Sequence, residues 1–237
     1  PKGPWWHTED NAQEVRMRNS TLLAEAMASC TAVTYVKGQL VGDPLDVQMF
    51  EANGWVFDES SQSLEDVDQV VIGYVHPKTS TANALAPMPS MSNSNSSQQN
   101  PRPKQFRNAL IRRFEFSSAL QRMSVICKND FDNHYKVFVK GSPEKIAELC
   151  RPETLPRDYD KELSKYTQEG YRVIALSVKD LPQSTTYRKV NNLTREEVER
   201  DLTFLGLLVM ENKLKPVSKD VIETLNSCGV KTIMATG

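Results

Sequence analysis

The sequence lacks the short signatures of several large enzyme classes, and each gap removes a function. It has no H-E-x-x-H and no C-x-x-C pair, and its histidines (His7, His76, His134) and cysteines (Cys30, Cys127, Cys150, Cys228) are scattered. Metal chemistry therefore has no support, and thiols set among apolar neighbours are expected to be buried and reduced. No G-x-G-x-x-G and no G-x-S-x-G occurs. GYVHPKTS, from Gly73, lacks the glycine that a phosphate-binding P-loop carries before its lysine. No apolar run is long enough to span a bilayer, and no signal peptide opens the chain. Neither sign of charge is in excess: 29 Lys and Arg face 30 Asp and Glu, a net charge of -1. No global field therefore draws a nucleic acid or an anionic membrane surface.

What is present suffices for a real core, since 39% of 237 residues are hydrophobic. The opening PKGPWWHTED reads as a cut inside a longer chain. Apolar periodicity predicts a helix over Arg16 to Cys30. A hairpin follows, with strands at Ala32 to Tyr35 and from Leu40, turning at Val36-Lys37-Gly38-Gln39. Asp43 to Ala52 reads as a helix ended by Asn53-Gly54. Strands are expected at Val70 to Val75, Ala109 to Phe116, Met123 to Cys127, Tyr135 to Val139 and Tyr171 to Val178. Helices are expected at Pro143 to Cys150 and Tyr159 to Glu169. The stretch from about 77 to 106, rich in Ser, Asn, Gln and Pro, buries too little to offset its ordering entropy and is expected to be a disordered insertion. From Thr203 the pattern becomes strand (to Met210), helix (Pro216 to Ser227) and strand (Val230 to Met234), the βαβ unit of a parallel sheet. The expected organisation is one α+β domain over 1–202, an antiparallel sheet flanked by helices, then the start of an α/β domain over 203–237.

Four segments hold residues suited to binding. In VFVKGSPEKIAELC a strand runs through Lys140-Gly141 directly into a strong helix start, with Ser142 as cap, Pro143 at the first position and Glu144 at the positive end of the dipole. Alone, this is an ordinary strand-to-helix turn with a solvated lysine. GDPLD places Asp43 and Asp46 at a helix start. RRFEFSSALQRMSVI carries Phe116, then Ser118, Gln121 and Arg122, and EGYRVIAL puts Arg172 at a strand start.

Together, in this order, the segments resemble the nucleotide-binding domain of P-type ATPases, transporters that pass through an aspartyl-phosphate. KGSPE resembles that family's K-G-A-P-E, and FSSALQRMSV its F-x-S-x-x-[KR]-x-M-S-V region. GDPLD with the later GW, and MENKLKP, are most similar to the type V subfamily, especially its polyamine-transporting branch. The resemblance covers almost the whole chain. It implies that Phe116 stacks on adenine, that Lys140 lines the base pocket with Gly141 leaving room for the ring, and that Asp46 accepts from the adenine amino group. Arg172 would contact the phosphates, and Ser118 would stand among the contacts. Gln121 occupies the place where many ion pumps carry lysine; Arg122 beside it faces the other way and does not replace that charge. Met123 reads as core.

The family's D-K-T-G-T is absent, and ATG at Ala235 to Gly237 looks like the start of its T-G-D-N loop. The expectation is a fragment that binds ATP, with Mg2+ held jointly with the phosphorylation domain of the parent, and that carries no catalytic or metal-ligating residue itself. C-terminal residues would begin that phosphorylation domain, of haloacid-dehalogenase (HAD) type. Its partners would be ATP and the parent's phosphorylation, actuator and transmembrane domains. The fragment would face the cytosol from an organellar membrane (vacuole, lysosome or endosome) without touching the bilayer. Two other readings compete: an interaction module recruiting a partner through the Ser/Asn/Gln-rich loop, and a soluble HAD-type phosphatase or kinase.

Overall fold

Seven strands run through one antiparallel sheet in strict chain order. They are β3 (Trp55–Asp58), β4 (Gly73–Pro77), β5 (Asn108–Ser117), β6 (Arg122–Asn129), β7 (Tyr135–Gly141), β8 (Arg172–Asp180) and β9 (Thr203–Met210). This computed structural model describes residues 12–59, 70–78, 106–211 and 215–235. A hairpin of β1 (Thr34–Val36) and β2 (Gln39–Val41) precedes the sheet, turning as expected through Lys37 and Gly38, both at positive φ.

Side-chain alternation gives the sheet two apolar faces. Along β7, Val137 and Val139 enter one core while Phe138 enters the other. α1 (Ala12–Ser29) and α2 (Pro44–Asn53) cover the Phe138 face with Ala26, Ala28 and Phe50, and Cys30 just after α1 joins them. The opposite face is covered by α3 (Pro143–Leu149), α4 (Tyr159–Gln168), α5 (Tyr187–Asn192) and α6 (Arg195–Val198), which contribute Ile146, Leu163, Val190 and Val198. The helix starts follow the local signals. Asp43 caps α2, its Oδ1 accepting from the Leu45 N–H at 2.9 Å, and Ser142 caps α3, accepting from the Lys145 N–H at 3.4 Å.

The α+β class and the antiparallel sheet flanked by helices are therefore as expected. The C-terminal part differs. β9 does not open a parallel βαβ unit; it pairs antiparallel with β8, Arg172 opposite Met210 and Val178 opposite Thr203, and buries Phe204 and Leu205. Its strong apolar character comes from being covered on both faces, which a sequence pattern reads equally well as a parallel strand. Val230 to Met234 forms no strand, and α7 (Ser218–Ser227) buries no residue. Cys228, at the end of α7, is accordingly exposed, whereas Cys30, Cys127 and Cys150 are buried free thiols. β4 lies a few residues later than expected, and β3, α5 and α6 were not anticipated. The inserted stretch lies outside the described residues between Lys78 and Phe106. Phe106, at its far side, packs edge-on against Trp55 with ring centroids 6.1 Å apart.

Candidate functional site

At one end of the sheet the close of β5, the start of β6, the close of β7 and the start of β8 meet the N-terminus of α2. Between them lies a groove of about 350 Å³. Six of the seven site residues expected from sequence line it: Asp46, Phe116, Gln121, Lys140, Gly141 and Arg172. Ser118 is exposed in the neighbouring turn and is not part of the lining.

The floor is ionic. Lys140 continues the inward row of Phe138 on β7 and is only 5% exposed, and Asp46 on α2 is 6% exposed. Lys140 Nζ donates to Asp46 Oδ1, while Asp46 Oδ2 accepts from the Ala32 N–H at 2.8 Å. Two charges are kept out of water here because each has a partner and the carboxylate has a second donor. Behind them Cys30 Sγ lies 3.5 Å from the Phe138 carbonyl, and burial pushes its thiol up to about 12. It stays protonated near neutral pH and is no nucleophile.

The rim is aromatic and cationic. Phe116 is 60% exposed although it sits in a strand. β5 carries Glu115 and Phe116 against the single Met123 of β6, a bulge between the pairs Phe114–Ser124 and Ser117–Arg122. Arg172 opens β8, exposed to solvent. Its guanidinium offers a planar fork suited to paired anionic oxygens.

Gln121 closes the turn after β5 at φ 53, its N–H donating to the Ser117 carbonyl at 2.6 Å. A left-handed conformation costs a non-glycine residue about 1 kcal/mol. Ser142 offsets this: its N–H donates to the Gln121 carbonyl at 3.0 Å and its hydroxyl to Gln121 Oε1 at 3.3 Å. Arg122 turns away as expected, Nε donating to Glu199 Oε2 at 2.6 Å. The space beside Gly141 is taken by protein: a Cβ there would lie 2.4 Å from the Gln121 carbonyl oxygen and 2.7 Å from Arg122 Cβ. The glycine is thus required by the close approach of β6.

Sequence reasoning did not place Asp43, Ser142, Val173 or Ile174 in the groove, although all four line it. Asp43 and Ser142 were legible as helix caps, and the caps of α2 and α3 are what bring them there. Met123 is buried at 1% exposure and also borders the groove. Among the described residues no group of three or more His, Cys, Asp or Glu side chains is placed to hold a metal ion. The arrangement can bind a flat ring between an exposed aromatic face and an ionic floor, with a guanidinium beside it.

Residues 83–217, more than half of the chain, match the family described as P-type ATPase, cytoplasmic domain N. The chain is similar to "Polyamine-transporting ATPase 13A3" of Mus musculus, 36% identical over 230 residues that make up 97% of this chain and 18% of that protein. It is 41% identical to "Probable cation-transporting ATPase 13A5" of Homo sapiens over 220 residues, 91% of this chain and 16% of that protein. It is 40% identical to "Polyamine-transporting ATPase 13A2" of Mus musculus over 215 residues, 91% of this chain and 17% of that protein. The chain thus spans less than a fifth of the length of these curated relatives. It belongs to the family of P-type ATPase cytoplasmic N domains.

Proposed function

We propose that the groove binds the nucleoside end of ATP for a P-type transport ATPase of which this chain is the nucleotide-binding part. The observation that carries the reading is that the exposed ring of Phe116 and the buried Asp46–Lys140 pair share one groove. A purine stacked on Phe116 gains about 1–3 kcal/mol. Its polar edge faces Asp46 and Lys140, and its phosphates run toward Arg172. The groove volume suits a purine better than a whole nucleoside triphosphate. The phosphates and Mg2+ therefore extend toward other domains of the parent, since no metal-binding cluster exists among the described residues.

In this reading the parent couples ATP hydrolysis, through an aspartyl-phosphate, to cation transport. The relatives' names favour a polyamine as the cation. No helix among the described residues is long and apolar enough to cross a membrane. The domain is proposed to face the cytosol, where ATP is, from an organellar membrane.

Titrating ATP while following amide shifts tests the site. Binding on the order of millimolar, about -4 kcal/mol, is expected, because one open groove offers a stack and few other contacts. Shifts should centre on Phe116, Lys140, Gly141 and Arg172, and Phe116→Ala should abolish binding measurable by calorimetry while the fold is kept. Unchanged affinity in that variant would sink the site. Shifts confined to the Ser/Asn/Gln-rich stretch would favour the recruitment module instead.

A further inference from the structure

Phe116 owes its position to a strand irregularity, and that irregularity is held from behind by the segment around α6. Arg195 bridges its two sides. Nη2 donates to the Glu115 carbonyl at 2.5 Å and Nη1 to the Arg122 carbonyl at 3.4 Å, one acceptor on each strand. Glu115 belongs to the bulge itself, whereas Arg122 is the next paired residue of β6, opposite Ser117, and a planar guanidinium fork spans from one to the other. Glu199, 1% exposed, completes the assembly. Its Oε2 accepts from Arg122 Nε at 2.6 Å, its Oε1 accepts from the Ser124 hydroxyl at 2.7 Å, and Arg195 Nη1 lies 3.7 Å away.

The segment carrying these groups is itself anchored. Thr194 and Glu197 form a capping box at its start. Lys179 Nζ donates to the Glu197 and Arg200 carbonyls at 3.0 and 2.9 Å at its end. Burying two guanidinium groups around one carboxylate is costly and gains little over an apolar substitute. Tying a four-residue helix to a sheet does not need it. Here the network also meets the backbone on both sides of the bulge, through Arg195.

We propose that Arg195 and Glu199 are positioning residues that hold Phe116 in its base-stacking orientation, an inference that rests on the reading of the groove as an adenine site. Neither side chain lines the groove. Arg195 acts through the backbone of Glu115 and Arg122, and Glu199 acts through the side chains of Arg195, Arg122 and Ser124.

The test uses the nitrogen-15-labelled 237-residue chain, with ATP as the probe. Arg195→Lys keeps a cation beside Glu199 but loses the fork, and Glu199→Gln keeps hydrogen bonding but loses the charge. Both are mild enough to fold. Each is expected to loosen the amides of Glu115 to Ser118 in heteronuclear relaxation and to weaken ATP binding about fivefold, the lower end of what a base stack contributes. In a Phe116→Leu background, where binding is weak but still titratable, neither should weaken it further. Full affinity in both clamp variants, while Phe116→Leu alone binds less well, would overturn the proposal and leave the groove reading intact. So would equal losses with and without the Phe116 ring. ATP affinity unchanged by Phe116→Leu would instead remove the adenine reading, and the clamp as a binding device with it.

Discussion

Lys140 and Asp46 close a buried ion pair across 94 residues of sequence, joining β7 to α2 beneath the candidate base site. The pair makes the groove floor polar without leaving a free charge, and it locks the helix that Asp43 caps to the strand that ends at Gly141. Stability and binding therefore meet in the same two side chains.

Removing one partner should be far worse than removing both. Asp46→Ala leaves the Lys140 ammonium buried and the Ala32 N–H without its acceptor, an expected loss of about 3–5 kcal/mol. Asp46→Leu combined with Lys140→Met should recover most of that stability, because a packed apolar pair replaces the ions. The double variant should still fail to bind ATP. Urea midpoints for the single and double variants, with ATP titrations of the double, check both halves. Equal destabilisation in the two would show that the charges are not the cause.

Gly141 and Gly38 should respond to alanine for different reasons. At Gly141 the new Cβ meets the Gln121 carbonyl oxygen at 2.4 Å, so the ends of β6 and β7 must part, at about 1–3 kcal/mol. Amide shifts of Gln121, Arg122 and Ser142 should move with it. At Gly38, φ is 78 and nothing lies within 4 Å, so only the backbone conformation is penalised, by about 1 kcal/mol. Gly38→Ala should leave the groove unchanged. Denaturation midpoints and amide maps separate the two effects.

Glu25 should make stability fall as pH rises. It is 1% exposed under the sheet, its Oε1 accepting from Asn108 Nδ2 at 2.8 Å with Lys136 Nζ at 3.4 Å. Burial raises its carboxyl above the ordinary 4.5, outweighing Lys136 and Asn108, which lower it. The folded chain thus keeps this proton to higher pH than the unfolded chain. That contribution is full below 4.5 and is lost as pH climbs through the folded value. Glu25→Gln, neutral throughout, should gain thermal midpoint relative to the parent as pH is raised from below 4.5 upward. A parent-to-variant difference that stays flat over this range would refute the assignment.

The sequence displayed some of this directly and hid the rest for identifiable reasons. The β7-to-α3 junction was legible because Ser142, Pro143 and Glu144 are local signals that act within one turn. Lys140 read as a lone cation because its partner is distant in sequence, and periodicity says nothing about contacts at that range. β9 read as parallel because strand propensity carries no pairing direction; the register with β8 supplies it. Arg195 and Glu199 drew no expectation from the sequence, because a carboxylate in the charged run TREEVERD carries no local sign of burial; the packed fold supplies it, with Glu199 1% exposed. Phe116 was the reverse case. A phenylalanine inside a strand pattern is ordinarily core, and only the family resemblance argued that this one faces outward.

Strict chain order in the sheet also separates two kinds of change. The stretch between Lys78 and Phe106 enters and leaves where β4 ends and β5 begins, since Val75 stands opposite Asn108. Phe116 lies eight residues further along β5, roughly 25 Å away. The close of β9, where the chain departs toward α7, lies at the groove's own end, Met210 being opposite Arg172. Insertions or deletions in the former connection therefore enter the sheet far from the groove, whereas any alteration of the latter enters on its doorstep.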